Sequence, residues 1–378
     1  MNLFDLGVIA HTAKENERRL PIHPRHLERL TDEVRPHVFL EEGYGDAFGF
    51  TDDELRPLVG GILPRAELIA RCEVILLTKP SAEDLLELRE GQTLWGWPHC
   101  VQDAALTQAA IDRRLTLIAW EAMNHWSGDT FLLHVFHKNN ELAGFGSVLH
   151  AMSLAGVTGT YGRPLSAAVI GFGATARGAV TALSANGIHD VDIFTQRGVA
   201  AVSAPIHSAR IVHFDPAASP AESRVHVDEG WIPMPAFLAE HDIIVNCVLQ
   251  DPNSPMTFLT NDDLPVLASG TIIVDVSCDE GMGFEWARPT TFDEPTFTVG
   301  NGVTYYAVDH SPSYLWNSAT WEISQALLPY LPKVLAGSDS WDGDETIRRA
   351  IEIREGVVQN PNILAFQKRS AEFPHLAV

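Results

Sequence analysis

The feature that most constrains this chain is a glycine-rich turn near its middle, between an apolar stretch and a helical pattern. Residues 167–170 read Ala-Ala-Val-Ile, and Gly171-x-Gly173-x-x-Ala176 follows. In a dinucleotide-binding turn the first glycine permits the tight bend, the second lets the backbone approach a pyrophosphate, and the third small residue packs helix on strand. The helix N-terminus, with Arg177 in its first turn, offers N–H donors to an anion. The setting favours a dinucleotide site, and an ordinary glycine-rich turn is the alternative.

The end of the next predicted strand, Val191 to Thr195, bears on the choice of dinucleotide. An NAD site expects Asp or Glu there, whereas an NADP site tends to present Arg. Asp192 lies too early in the strand, and the chain continues Thr195-Gln196-Arg197. A guanidinium can bind a 2′-phosphate in a bidentate fork. The pattern therefore favours NADP(H), with NAD(H) as the alternative and a solvated loop arginine as the plain interpretation of Arg197.

Composition excludes several classes of partner. The formal net charge of the 378 residues is −23, which repels phosphate backbones and argues against nucleic acid and anionic membranes. No apolar run is long enough for a membrane span, and the first residues do not resemble a signal peptide. The cysteines are scattered and the histidines show no ligand spacing, so we expect reduced thiols, no metal and a cytoplasmic protein. The sequence does not decide between a monomer and a homo-oligomer.

The first half alternates short apolar runs with helical patterns. This alternation predicts βαβ units and a parallel sheet. The predicted strands are 73–77, 92–97 and 115–120, and the predicted helices are 81–88 and 101–113.

Two longer helical patterns, 141–161 and 312–328, flank the segment that contains the glycine turn. If the second returns the chain to the first domain, the cofactor domain is an insertion. We therefore predict an α/β protein with two Rossmann-like domains built on parallel sheets and a cleft between them. Residues 1–144 plus 312–378 would form the substrate domain, and 145–311 the dinucleotide-binding domain.

Two titratable side chains follow neighbouring predicted strands. Lys79 comes directly after the strand 73–77, and His99 directly after the strand 92–97. Ligands of parallel α/β sheets bind at the carboxyl ends of strands, so the two would share one crevice. Burial and mutual charge can tune both toward neutrality, as acid–base chemistry requires. A solvated lysine and a hydrogen-bonded turn histidine are the alternatives. Near the N-terminus, Arg18 or Arg19 could hold a substrate carboxylate, although composition alone favours a charged surface turn there.

Several dispersed segments resemble one family, the alanine dehydrogenase/saccharopine dehydrogenase (lysine-forming) superfamily, and especially its opine-type members such as N5-(carboxyethyl)ornithine synthase. The segments run through most of the chain in the family's order. They are Lys14-x-x-Glu17-x-Arg19-x-x-x-x-Pro24, Leu88 to Gln92 with Gly96-Trp97-x-His99, Ile244 to Cys247, Val274 to Asp279 and Val308 to Ser313.

The resemblance implies roles for individual residues. Arg19 matches the family's carboxylate-binding arginine, and Lys79 with His99 matches its acid–base pair. Asp279 matches an acidic residue beside the nicotinamide, and Glu121 matches a substrate-side acid. The segments 120–126 and 282–295 depart from the family pattern, so the substrate is not identified.

The activity implied is NAD(P)H-dependent chemistry at the C–N bond of amino acids. A 2-oxo acid and an amino-acid amine would form an imine that hydride reduces to a secondary amine, or the reverse cleavage would occur. A simple alanine-type dehydrogenase that releases ammonia is one alternative. A non-catalytic nucleotide-binding protein is the other.

Overall fold

The computed structural model describes residues 3–196, 209–228, 230–250 and 254–377. Their contacts divide the chain into two compact units. Unit 1 is Met1–His137 with Trp316–Val378, and unit 2 is Lys138–Leu315. The sequence predicts these boundaries at 144/145 and 311/312, and the roles of the two units as substrate and cofactor domains stay proposals.

Most elements are short, and we number them along the chain. The strands are β1 (Leu6–Val8), β2 (Val38–Glu41), β3 (Gly61–Leu63), β4 (Val74–Leu76), β5 (Thr93–Gly96), β6 (Thr116–Ala119), β7 (Asn124–Ser127), β8 (Thr130–His134), β9 (Ser166–Ile170), β10 (Asp190–Thr195), β11 (Arg210–Asp215), β12 (Arg224–Val227), β13 (Gly230–Pro233), β14 (Ile243–Asn246), β15 (Thr257–Leu259), β16 (Ile272–Asp275), β17 (Gly283–Phe284), β18 (Thr296–Val299), β19 (Val303–Tyr306), β20 (Ile351–Arg354) and β21 (Val357–Val358). The α-helices are α1 (Asp52–Leu55), α2 (Arg65–Arg71), α3 (Ala82–Glu87), α4 (Ala104–Asp112), α5 (His137–Ala155), α6 (Ala174–Ala185), α7 (Met234–Leu238), α8 (Trp316–Leu327), α9 (Leu331–Leu335), α10 (Ser338–Trp341), α11 (Glu345–Ala350) and α12 (Pro361–Phe366).

Unit 1 is built on one sheet in the order β21-β20-β6-β5-β4-β1-β2-β3. The strands from β6 to β3 are parallel to their neighbours, whereas β20 pairs antiparallel with β6 and β21 with β20. Alternate residues of a strand enter different cores: Val74 and Leu76 pack on one face and Ile75 and Leu77 on the other. Both faces are covered, as expected for a parallel sheet.

Unit 2 is built on a second sheet in the order β13-β12-β11-β10-β9-β14-β16-β19-β18. The strands from β11 to β19 are parallel, and the pairings at either edge are antiparallel. Apolar cores lie on both faces of this sheet as well. The predicted fold class, α/β with parallel sheets in two Rossmann-like domains, is confirmed.

Helices α5 and α6 cross at two glycines of unit 2. A Cβ atom on Gly178 would lie 1.7 Å from the Glu141 carbonyl oxygen, and one on Gly144 would lie 2.0 Å from that of Thr175. Such distances are shorter than any van der Waals contact, so only glycine fits at the crossing.

Several element bounds differ from the prediction. The helix predicted over 101–113 begins at Ala104, because the Asp103 side chain accepts the Leu106 N–H and caps it. The pattern 141–161 is α5, which ends before Gly156. The pattern 312–328 is a 3₁₀ segment, Ser311–Leu315, followed by α8. In the ranges that the structure describes, no helix is both long and apolar enough to cross a membrane.

A buried charge network joins two parallel strands of unit 2. Asp192 on β10 is 3% exposed and accepts two hydrogen bonds from Arg210 on β11, at 2.7 and 2.6 Å. The His241 Nε2 atom lies 3.2 Å from the same carboxylate. Although burial opposes ionisation, the His241 and Arg210 contacts lower the pKa of Asp192 to about 2.

We expect Asp192→Asn to lower the free energy of unfolding at pH 7 by about 2 kcal/mol, since it removes charge-assisted hydrogen bonds. Because the folded-state pKa of Asp192 is depressed to about 2, its contribution is complete above about pH 4 and is lost as the pH falls toward 2. Chemical unfolding at pH 7 and pH 3 measures both effects. Asp215→Asn is the matched control, because Asp215 is an exposed residue at the end of β11. Equal unfolding free energies for Asp192→Asn and wild type at pH 7 would contradict the prediction.

Candidate active site

The candidate residues of unit 1 follow four neighbouring strands. The loop bearing Arg19 follows β1, Lys79 follows β4, His99 follows β5 and Glu121 follows β6. These strands are adjacent and parallel, so their carboxyl ends lie at one edge of the sheet. The structure thus brings the sequence-predicted residues of this half of the chain to a common edge.

The backbone of His99 is fixed from both sides. Its N–H donates to Oε1 of Glu121 at 2.6 Å, and its carbonyl oxygen accepts from the N–H groups of Gln102 and Asp103 at 3.2 and 3.1 Å. The residue has a φ of +49°, which lies in the left-handed backbone region that residues other than glycine seldom adopt. Neighbouring groups therefore hold His99 in a strained turn, which is a frequent property of functional sites.

Glu121 lies behind this turn. Its Oε2 atom is buried and has no hydrogen-bond partner in the described part of the chain. Burial raises the pKa of the Glu121 carboxyl and the nearby Glu352 adds to the rise, while the His99 N–H and the Lys79 ammonium act against it. The residue contacts the His99 turn directly, whereas its predicted contact with substrate stays a proposal.

Arg19 is buried and firmly oriented. Its guanidinium donates to both carboxylate oxygens of Glu17, at 2.8 and 2.5 Å, and lies 5.2 Å from the centre of the Trp97 ring. Trp97 in turn packs edge-on against Trp120 and Phe136. The family motif singled out Glu17 by spacing only, and the structure makes it the residue that orients Arg19.

Hydrogen bonds tie the loops of Arg19 and Lys79 together. The Thr78 hydroxyl donates to the Arg19 carbonyl at 3.2 Å, and the Thr12 hydroxyl lies 2.6 Å from the Lys79 carbonyl oxygen. Asp84, which is 2% exposed, accepts from the Ala13 N–H. Sequence reasoning missed the roles of Thr12 and Asp84. The Ser81-x-x-Asp84 capping box was the available signal, but it predicts only the start of α3.

The glycine turn of unit 2 fits a dinucleotide. Gly171 has a φ of +114°, and a Cβ on it would lie 3.2 Å from the Cys247 carbonyl oxygen. By contrast, a Cβ placed on Gly173 would have no described atom within 4 Å apart from those of the residue itself and of the chain directly next to it. Gly173 also precedes α6 with no side-chain cap, which leaves the first N–H groups of the helix for an anion. Ala176 is fully buried against the core, and Arg177 lies in the first turn.

The strand that bears on cofactor choice, β10, ends in uncharged residues. Thr195 is its buried last residue and Gln196 follows it, exposed. Arg197 lies outside the described residues. Asp192 is committed to Arg210 and His241, which agrees with its exclusion as a ribose ligand.

The acidic candidate Asp279 follows β16, two strands from the glycine turn. Burial raises its pKa. The preceding Asp275 is fully buried and accepts hydrogen bonds from Tyr305 at 2.5 Å and Asn246 at 2.9 Å. Cys278, between them in sequence, has a φ of +48° and donates its N–H to Asp275. Sequence reasoning missed this network, which fixes the turn that carries Asp279.

The two segments that depart from the family pattern, 120–126 and 282–295, each contain a residue of a hydrophobic core. Phe284, in the segment 282–295, lies in a core of unit 2, and Trp120 in a core of unit 1. Within the described ranges, no group of three or more His, Cys, Asp or Glu side chains could hold a metal ion.

Most of the chain matches known protein families. The family model "Alanine dehydrogenase/PNT, N-terminal domain" matches residues 7–139, and "Alanine dehydrogenase/PNT, C-terminal domain" matches residues 150–361. An N(5)-(carboxyethyl)ornithine synthase of Clostridium botulinum is 26% identical over 326 residues, which are 82% of this chain and 89% of that protein. An alanine dehydrogenase of Mycobacterium tuberculosis is 27% identical over 341 residues, 86% of each chain.

Solved structures show the same fold. An L-alanine dehydrogenase superposes with a TM-score of 0.75 at 21% identity, over 96% of this chain and 98% of that one. A transhydrogenase from Sinorhizobium meliloti gives 0.69 at 18% identity, over 94% and 99%. The resemblance noted in the sequence is confirmed, and the chain belongs to the alanine dehydrogenase/PNT family.

Proposed function

We propose that this protein is an NADP(H)-dependent oxidoreductase that joins a 2-oxo acid to an amino-acid amine by imine reduction, or catalyses the reverse cleavage. The observation that carries the proposal is the common edge of unit 1, where a buried arginine, a lysine and a histidine follow neighbouring parallel strands. Together they offer an anion-binding group and two groups that transfer protons. The family's curated relatives include a carboxyethylornithine synthase, which supports this class of chemistry.

Arg19 binds the carboxylate of the oxo acid. Its guanidinium is planar and suited to a bidentate carboxylate contact. Glu17 and Trp97 hold it in one orientation, so little side-chain freedom is lost when substrate binds. We propose Glu121 as a support for the neighbouring histidine as well as the substrate-side acid that the family resemblance implies.

Lys79 and His99 move protons during imine formation. When the amine nitrogen attacks the keto carbon, nitrogen loses a proton and the carbinolamine oxygen gains one. That oxygen then leaves as water after it receives a second proton. The rigid His99 turn keeps its imidazole in place through both transfers. In the oxidative direction the same groups transfer the protons in reverse.

Unit 2 holds the dinucleotide. Gly171, Gly173 and Ala176 with the α6 N-terminus would bind the pyrophosphate, with Arg177 in the first turn, and Asp279 would lie near the nicotinamide end. Thr195 ends β10, Gln196 and Arg197 follow it in sequence, and the absence of an acid among the three supports NADP(H) over NAD(H). When bound, the nicotinamide donates or accepts the hydride.

An alanine-type dehydrogenase that releases ammonia is the second candidate. It is favoured by the match to an alanine dehydrogenase over 86% of the chain. A panel of 2-oxo acids, each with ammonia or with an amino acid, followed by oxidation of NADPH and NADH, separates the two. We expect turnover with an amino-acid amine and faster oxidation of NADPH. Turnover with ammonia alone would favour the second candidate, and nucleotide binding without any turnover would refute both.

Lys79→Met and His99→Gln should each lower kcat on the order of 10²-fold or more, the usual contribution of general acid–base catalysis. Dinucleotide affinity should stay unchanged because both residues belong to unit 1. Steady-state kinetics and cofactor titration measure these quantities. Lys138→Met and His189→Gln, at exposed positions of unit 2, are matched controls. If both test variants had near wild-type kcat, Lys79 and His99 would not be the residues that transfer protons.

Gly173→Val should weaken dinucleotide binding roughly tenfold or more, equal to about 1.4 kcal/mol, because its side chain fills the space that the pyrophosphate would enter. The folded state should tolerate the change, since Gly173 has a φ of −97° and open space around it. Cofactor titration and thermal unfolding measure the two effects. Wild-type affinity for both NADPH and NADH would exclude the turn as the binding site.

A further inference from the structure

A C-terminal segment of the chain lies against the His99 turn. We infer that this segment, residues 367–377 after α12, positions His99 through the side chain of Gln367. The inference rests on the proposed function, in which His99 transfers protons. Gln367 lies beyond residue 361, where the family match ends, so the role is argued from this chain's contacts.

The contact is a direct one between side chain and backbone. Nε2 of Gln367 donates to the carbonyl oxygen of Cys100 at 2.6 Å and lies 3.2 Å from that of Val101. Cys100 is the residue immediately after His99. The hydroxyl of Thr107, on α4, donates to the same Cys100 carbonyl at 2.8 Å.

Gln367 is itself held by an arginine. Nε of Arg369 donates to Oε1 of Gln367 at 2.6 Å, which leaves the Gln367 amide nitrogen directed at the turn. Another guanidinium nitrogen of Arg369 donates to Oε1 of Gln108 at 2.6 Å. Since Gln108 lies on α4, Arg369 connects the segment to the helix that begins just after the His99 turn.

Contacts on both sides of Gln367, in α12 and within the segment, anchor this part of the chain in unit 1. Ile363 of α12 is fully buried in the same core as Cys100. The buried His375 accepts the Val358 N–H at 3.1 Å through Nε2, and its Nδ1 lies 3.1 Å from the Ser370 carbonyl oxygen. These contacts fix the backbone on both sides of Gln367, so its side chain is held against the His99 turn.

The consequence for His99 follows from its backbone. Glu121 fixes its N–H group, and the N–H groups of Gln102 and Asp103 fix its carbonyl. Gln367 adds a restraint on the next peptide, which a left-handed residue needs in order to keep its unfavourable conformation. Misplacing an acid–base group by about 1 Å can cost on the order of 10²-fold in rate. Gln367 is therefore a positioning residue for proton transfer.

Gln367→Met tests this in the full-length protein, because methionine keeps the length of the side chain and removes its donor. Gln367→Glu is a second variant of the same size that can only accept. The control is Gln359→Met, an exposed glutamine whose amide donates only to Val357 among the described contacts. Hydrogen exchange of the peptide 98–103, kcat, KM and thermal unfolding are measured for all of them.

We expect both Gln367 variants to speed exchange of that peptide and lower kcat, each on the order of tenfold, at a temperature where every variant is folded. KM should change far less than kcat, and the control should match wild type in every measurement. Unchanged exchange would overturn the inference whatever the activity. Faster exchange with wild-type kcat would also overturn it. If wild type turns over no substrate pair, the proposed function fails, and exchange alone decides whether Gln367 holds the turn.

Discussion

Parallel pairing of short strands is the constraint on which the candidate site depends. Leu6 on β1 pairs with Val74 on β4, Val74 with Thr93 on β5, and Thr93 with Thr116 on β6. Because these strands start at one level and span only three or four residues, the loops that follow them also begin at one level. The backbone pairing of the sheet thus brings residues that are far apart in sequence to one edge. The hydrophobic cores on both faces of the sheet stabilise this arrangement.

Sequence patterns predicted the elements whose residues are buried on both faces. The runs that became β4, β5, β6 and β14 are largely apolar and entirely buried, and the structure confirms strands there. Residues 210–233 contain β11 to β13 and lack such a run. Exposed or partly exposed residues separate the buried ones in β11 and β12, and β13 has no buried residue. Neither could the sequence show that only glycine fits at residues 144 and 178, since that depends on how closely α5 and α6 approach.

The same distinction applies to the candidate site. The positions of Lys79 and His99 at the common edge could be predicted, because they depend only on the place of each residue after a strand. The supporting residues could not, because they act over long sequence separations. Thr12 contacts Asp84 across 72 positions, and Gln367 contacts Cys100 across 267. A local sequence pattern cannot identify a partner so far away in the chain. The burial that raises the pKa of Glu121 likewise exists only in the folded protein.

The insertion of unit 2 within unit 1 affects the order in which the chain can fold during synthesis. Unit 2 is one continuous stretch, Lys138–Leu315, whereas unit 1 needs residues from Trp316 onward. On the ribosome, unit 2 is complete in sequence while the sheet of unit 1 still lacks β20 and β21. Domains usually fold as units from the N-terminus onward, but here the sheet of unit 1 is completed only by the last part of the chain. Until β20 is made, β6 is an edge strand, and an open edge can pair with strands of other chains.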